Sequence, residues 1–459
     1  MRALLPVAAS LLLAGCSLAP PHVAPAPPVP GSWPVGDAYL VQNEAALASI
    51  DYTDVFGDPR FLRLAEQALA NNRDLRIAAA NLEAARARAR AIRSEQFPLI
   101  GVSGSADYST GGSGPDSQSF GLRGGVTAFE LDLFGRLANA TAAARERMLA
   151  TEAAARALRI ALIGDLASTW ASYAANRELL QVAQDTADNA RRSVEITRLR
   201  LDGGISPRTD LRQAEQVLAT AEEALAQQTT ALALDENLIR LLVGAEFDRG
   251  LLPGSLEEVT ASIRTLPAGV DSSVLLRRPD IIEAEYELRA ANADIGVARA
   301  RMFPSISLTG LLGLASNSLS ALFSGDAFRA SAGADVSQVI FDAGGRRADV
   351  AVSEAQRDAA LANYERTIQV AFREVADALA VQGTLTERLR AVRANSEAAA
   401  DTARLTEARY RGGIDNFLAS LDAQRSLYTA RRREVETDFA VVLSRIALYR
   451  ALGTAPVID

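Results

Sequence analysis

Residues 303–346 read FPSISLTGLLGLASNSLSALFSGDAFRASAGADVSQVIFDAGGR, and their pattern decides the fold. Phe303-Pro304 stops a helical run. Residues 305–315 then set Ile306, Leu308, Leu312 and Leu314 against Ser305, Ser307 and Thr309. Residues 328–340 repeat the alternation, with Phe328, Ala330, Ala332, Ala334 and Val336 opposing Arg329, Ser331, Asp335 and Ser337. A period of two predicts strands with one apolar and one polar face. Strands of about ten residues with this alternation suit a membrane barrel. A half-buried sheet in water gives the same pattern.

An earlier stretch, residues 97–136, has the same build: FPLIGVSGSADYSTGGSGPDSQSFGLRGGVTAFELDLFGR. Here Ile100, Val102, Ala106 and Tyr108 alternate with Ser103, Ser105 and Asp107 in the strand 99–109, and Phe120, Leu122 and Val126 with Arg123 and Thr127 in the strand 120–129. Phe97-Pro98 matches Phe303-Pro304 at an offset of 206. Asp132–Arg136 matches Asp342–Arg346 at 210, and Gly203-Gly204-Ile205 matches Gly412-Gly413-Ile414 at 209. Landmarks in register over so long a span indicate a tandem duplication. The first repeat covers 37–245 and the second 279–459, with an equatorial segment, 246–278, between them. Each repeat reads helix, strand pair, very long helix, Gly turn, helix. The expected helices are 72–97, 136–201 and 208–243, then 279–303, 346–411 and 415–450.

The runs 136–201 and 346–411 contain no Pro and almost no Gly. As helices they would be about 100 Å long. In the first, Leu162, Leu166, Thr169, Tyr173, Asn176, Leu180, Ala183, Ala187, Ala190, Val194, Thr197 and Leu201 recur in steps of three and four. That spacing predicts a coiled-coil seam with small knobs. A long amphipathic helix in an ordinary bundle is the other reading. Four strands cannot close a barrel, which needs about eight. An open sheet edge has no partners in lipid. A membrane reading therefore requires several chains, and three would supply twelve strands.

The N-terminus reads MRALLPVAASLLLAGC. It is too short to span a bilayer and predicts a signal peptide over 1–15. Leu13-Ala14-Gly15-Cys16 resembles the bacterial lipobox, which implies cleavage before Cys16 and a covalent lipid on its thiol. An ordinary signal peptide that happens to contain a Cys is the alternative. Ser17 after the Cys implies sorting to the outer membrane. A Pro-rich linker fills the rest of 16–36.

Composition excludes much else. The 459 residues are 49% hydrophobic but only 5% aromatic, with a net charge of −8. The acidic balance argues against nucleic acid as a partner. There is one His, His22, and one Cys, Cys16. A His-based triad and a His/Cys metal cage have no material. The chain therefore reads as a non-enzyme with no metal and no cofactor beyond the lipid.

The lipobox, Arg278-Pro279-Asp280, Phe303–Leu308 and Leu421-Asp422-Ala423-Gln424-Arg425 together resemble TolC-type outer-membrane efflux proteins, in the OprM/NodT lipoprotein branch. The resemblance covers about 37–455. It implies a mainly α chain with membrane β-strands. Three chains would share a twelve-stranded β-barrel and a long α-helical coiled-coil barrel in the periplasm. It implies an exit channel passing drugs or other small molecules out of a tripartite pump. The partners would be a second and third copy, a periplasmic adaptor (membrane fusion) protein and an RND-type inner-membrane transporter, with the channel lipid-anchored in the outer membrane. By the same resemblance, the turns at Gly203-Gly204 and Gly412-Gly413 are adaptor-docking tips. Leu418 and Asp422, one helical turn apart, would ring the throat of the duct. Tyr410 and Asp210 match residues that tie the closed state by hydrogen bonds between neighbouring hairpins. Asp415 and Ala419 stand where the TolC branch has an Arg and a further Asp, so a full ionic lock is not expected. A type I secretion duct for proteins is the nearest alternative. A lipid-anchored periplasmic coiled-coil scaffold is the alternative from another class.

Overall fold

The structure is a computed structural model that describes residues 17–21, 23, 25–26, 28–34, 36, 39, 51–110, 117–264 and 272–453. Cys16 and His22 lie outside the described residues.

The chain order is α1 (Tyr52–Val55), α2 (Pro59–Asn71), α3 (Arg73–Ser94), β1 (Ile100–Ser109), β2 (Ser117–Glu130), α4 (Arg136–Asp202), α5 (Arg208–Val243), α6 (Leu256–Ser262), α7 (Pro279–Ala300), β3 (Ser305–Ser316), β4 (Phe328–Ser337), α8 (Gly345–Arg411) and α9 (Phe417–Leu452). Short 3-10 turns interrupt the loops. The duplication has a structural counterpart: α3 and α7 have 22 residues each, α4 and α8 have 67, and α5 and α9 have 36.

Several expected boundaries move. The helix expected over 72–97 begins at Arg73, because Asn72 is its cap. The Asn72 Oδ1 accepts from the N–H groups of Asp74 (2.9 Å) and Leu75 (3.1 Å), satisfying donors the helix start leaves free. The same helix ends at Ser94, in tight turns leading to Phe97. The residue before Pro98 is pushed out of the helical region. Pro304 has the same effect on the helix expected over 279–303, which ends at Ala300. The strand expected over 328–340 ends at Ser337, because its partner strand begins opposite it at Ser305. The helix expected over 415–450 begins at Phe417, since Asn416 caps it by accepting from the Ala419 N–H. The sequence reading also missed α1 and α2.

Two compact units form. One is built on Ala80–Ala153 and Ile282–Arg366, the other on Pro28–Ala79, Ala154–Ile281 and Thr367–Asp459.

The first unit carries the sheet, antiparallel throughout in the order β1-β2-β3-β4. The β2–β3 pairing joins the strands of the two repeats. Register fixes which residues share a face. The row Val102, Gly124, Leu312, Ala330 and the row Gly104, Leu122, Leu314, Phe328 lie on the apolar face. The row Ser103, Arg123, Gly313, Arg329 lies on the polar one. The apolar face is bare in the single chain, with Val102 78% exposed. Among the described residues the outer edges of β1 and β4 are unpaired. At Gly125 φ is +148°, and a Cβ there would sit 2.1 Å from the Gly310 carbonyl oxygen. The linker start packs on this unit. Ser17 Oγ donates to Asn139 (2.9 Å), and Asn292 donates to the Pro20 carbonyl (2.7 Å). Gly296 leaves the space that Ala19 occupies.

In the second unit, α4 buries eight of its twelve expected seam residues: Leu162, Leu166, Thr169, Ala183, Ala187, Ala190, Val194 and Thr197. The other four are half-buried. Around Trp170 the buried face widens to include Ala167, Ala171, Ala174 and Ala175. Trp170 donates its indole N–H to the Leu251 carbonyl (2.9 Å) and meets Phe61 at 5.6 Å. Phe56 meets Phe61 at a tilt, 4.7 Å between ring centroids, and Tyr449 edge to face at 5.2 Å. Trp33, from the expected linker, is buried and stacks on Phe372 at 4.9 Å. The described linker residues Ser17, Pro20 and Trp33 are therefore packed on the protein, the first two by hydrogen bonds and Trp33 by apolar burial. Arg278, also buried, donates to Asp280, Glu374 and the Ala451 carbonyl. Among the described residues no helix is long and apolar enough to cross a membrane.

Candidate functional site

The site is the pair of tips where α4 turns into α5 and α8 into α9. The two turns have the same backbone. Gly204 (φ +70°) and Gly413 (φ +74°) adopt the left-handed conformation that ends a helix at little cost for Gly. Ile205 N–H bonds the Arg200 carbonyl at 2.8 Å, and Ile414 N–H bonds that of Arg409 at 2.9 Å. Gly204 N–H reaches Leu201, and Gly413 N–H reaches Tyr410. This is the Schellman arrangement, and it satisfies carbonyls the helix end would otherwise leave free. Gly203 and Gly412 precede the left-handed residue in each turn and are exposed.

Behind the turns a small core joins all four helices: Val194 of α4, Leu211 and Ala214 of α5, Tyr410 of α8, and Phe417 and Leu421 of α9. Tyr410 meets Phe417 at 5.3 Å between ring centroids. Further from the tip the core narrows to Ala187, Ala190 and Ala221, which allow close helix approach. Leu418 is 50% exposed, and Asp422 is exposed one turn later. Both lie on the open face of α9 while Phe417 and Leu421 face the core. Among the described residues Asp422 makes no ion pair.

Tyr410 and Asp210 are not joined within the chain. Tyr410 is 7% exposed, and its buried hydroxyl has no hydrogen-bond partner. The Asp210 carboxylate accepts instead from Ser206 Oγ at 2.8 Å. Asp415 does form an ion pair, but inside its own turn. Both of its oxygens accept from Arg409, at 2.6 and 3.0 Å. The Arg409 guanidinium holds the Asp415 carboxyl below its ordinary value.

Arg200 escaped the sequence reading. Its guanidinium donates to the carbonyls of Tyr410 (3.0 Å) and Arg411 (3.2 Å) at the end of α8. It also lies 4.3 Å from the Tyr410 ring centroid. Its alignment with Arg409 at the repeat offset of 209 was the available signal.

Among the described residues no cluster of His, Cys, Asp or Glu could hold a metal. The arrangement joins Ser206 to Asp210 and Asp415 to Arg409 and leaves Leu418 and Asp422 exposed.

Comparison with known proteins gives the context. Residues 64–245 and 270–454 match the family model "Outer membrane efflux protein". The chain is 40% identical over 461 residues to the solvent efflux pump outer membrane protein SrpC of Pseudomonas putida, covering 98% of this chain and 97% of that one. It is 36% identical to the cation efflux system protein CusC of Escherichia coli O157:H7, covering 98% of each. A crystal structure of a membrane protein from Pseudomonas aeruginosa superposes with a TM-score of 0.86 at 34% identity, covering 96% of this chain and 98% of that one.

Proposed function

Since the chain belongs to the outer membrane efflux protein family, and is an outer-membrane efflux channel with a TolC-like fold, we propose that it is the exit duct of a tripartite pump and is gated at its helix tips. The observation that carries the gate is the pairing of Leu418 and Asp422 on the open face of α9, just past the Gly412-Gly413 reversal. Around a three-fold axis these become an apolar ring and a carboxylate ring. The first excludes water, and the second attracts cations and repels anions.

The trimer follows from the sheet. Two unpaired edges per chain need partners in lipid, and β1 of one copy against β4 of the next supplies them. Twelve strands then close. The adaptor docks on the exposed Gly203-Gly204 and Gly412-Gly413 tips, and an RND-type transporter completes the path. Cys16 carries the lipid, and the docking of Ser17 and Pro20 on the sheet-bearing unit supports an anchor close to it. The cargo is small molecules. Relatives of similar identity are described as solvent and cation efflux components, so one duct design suits unlike cargoes.

Single-channel recording in planar bilayers tests the gate. The wild type should be mostly closed, and Leu418→Ala should raise its conductance. A wild type fully open at all voltages would overturn the gate.

A further inference from the structure

The two tips share a backbone but differ in how each uses one arginine. Arg200 and Arg409 occupy equivalent places, each six residues before the position that follows the Gly-Gly-Ile turn. In the second turn that position is Asp415, and it binds Arg409 with both carboxylate oxygens. In the first turn the position is Ser206, whose hydroxyl is held by Asp210. Arg200 thus lacks the acid that pairs with Arg409, and among the described residues it forms no ion pair, with Asp202 or any other carboxylate. It reaches across to the end of α8, where the last carbonyls carry the negative end of the helix dipole. There it donates to two carbonyls and lies over the Tyr410 ring. Among the described residues the Tyr410 hydroxyl makes no hydrogen bond, so this ring is held by its contacts with Phe417 and the small core and with Arg200.

We propose that Arg200 is the positioning residue that ties the first hairpin to the second and so holds the tip closed. The duplication made two arginines available. Ser206 in place of an acid released one of them from its own turn to bridge the hairpins. The tie uses carbonyls and a ring face, not a carboxylate, so it does not depend on an ionic lock. The inference rests on the gate reading above and names the contact that maintains it.

Three variants of the full-length channel separate the possibilities. Arg200→Ala removes the tie and should raise open probability on the order of tenfold, the scale of losing charge-assisted hydrogen bonds. Arg200→Lys keeps a charge and one donor but loses the fork, and should fall between. The double variant Ser206→Asp with Asp210→Ala copies Asp415 and Ala419 into the first turn. It keeps Arg200 but recaptures it, and should open the channel as Arg200→Ala does. Hydrogen exchange over residues 198–206 and 405–417, read alongside conductance, should quicken in both opening variants. Quicker exchange with unchanged conductance would overturn the closing role of Arg200, and the gate would fall with it if Leu418→Ala also left conductance unchanged. Unchanged exchange and conductance in Arg200→Ala, while Leu418→Ala still raises conductance, would overturn the role of Arg200 and leave the gate standing. A double variant that behaves as wild type would overturn the recapture argument.

Discussion

In the proposed throat, charge and size at single positions set the expected conductance and selectivity. Leu418 is half exposed in one chain because its neighbours Phe417 and Leu421 already fill the core. Truncating it therefore leaves the local fold intact, and Leu418→Ala should widen the apolar ring and raise single-channel conductance. Asp422→Ala should weaken cation preference, read as a reversal potential moving toward zero across a salt gradient. A second titrating feature lies elsewhere in the same unit. Burial pushes the carboxyls of Glu178 and Asp438 above their ordinary values, and the neighbouring Glu257 and Glu434 push the same way. A group raised in the folded state contributes stability below its ordinary value and loses it as pH rises through the raised one. Melting temperature should therefore rise as pH falls from 8 through the raised values toward the ordinary ones. Glu178→Gln keeps an acceptor for the Leu256 N–H, at 2.7 Å in the native chain, and removes the charge. It should raise the melting temperature at pH 8 and flatten the pH dependence. A melting temperature that falls steadily between pH 8 and pH 5 would contradict this assignment.

Two glycines show how differently elements tolerate the same change. Gly413 has φ +74° with open space where a Cβ would stand. Gly413→Ala then costs only the left-handed backbone strain, about 1 kcal/mol. The protein should assemble normally with a slightly less stable tip. Gly125 combines φ +148° with a backbone oxygen 2.1 Å from the would-be Cβ. That oxygen belongs to β3, so it cannot swing aside as a side chain would. Gly125→Ala should break the β2–β3 pairing and with it the join between the two repeats' strands within the chain. Heat-resistant oligomer on a gel distinguishes the two, retained for Gly413→Ala and lost for Gly125→Ala.

Across the whole molecule, the unpaired edges of β1 and β4 make assembly obligatory for a membrane sheet. Mass measurement in mild detergent should give three chains, and a stable monomer with a closed barrel would end the trimer proposal. Cys16→Ala should abolish lipidation while the trimer still inserts, because the apolar sheet face supplies its own membrane contact. An unlipidated mature chain that stays in solution without detergent would contradict that.

The sequence by itself determined the elements and their repetition. Strand alternation, Pro-free helical runs and paired glycines are local signals, and a tandem copy makes each readable twice. The β2–β3 register agrees with the alternation because pairing at any other parity would turn Leu122 and Leu314 to opposite faces. Tertiary structure decided what local signals do not carry. Asn72 caps a helix that was expected to include it, and its amide also donates to the Leu242 carbonyl, 170 residues away. Trp33 leaves a Pro-rich segment for a stack on Phe372. At the tips, the shared open face of Leu418 and Asp422 was legible from their helical spacing. The partner of Arg200 was not, because a guanidinium on a long side chain binds whichever acceptor the packed helices bring within reach, and that choice is made only after four helices have met.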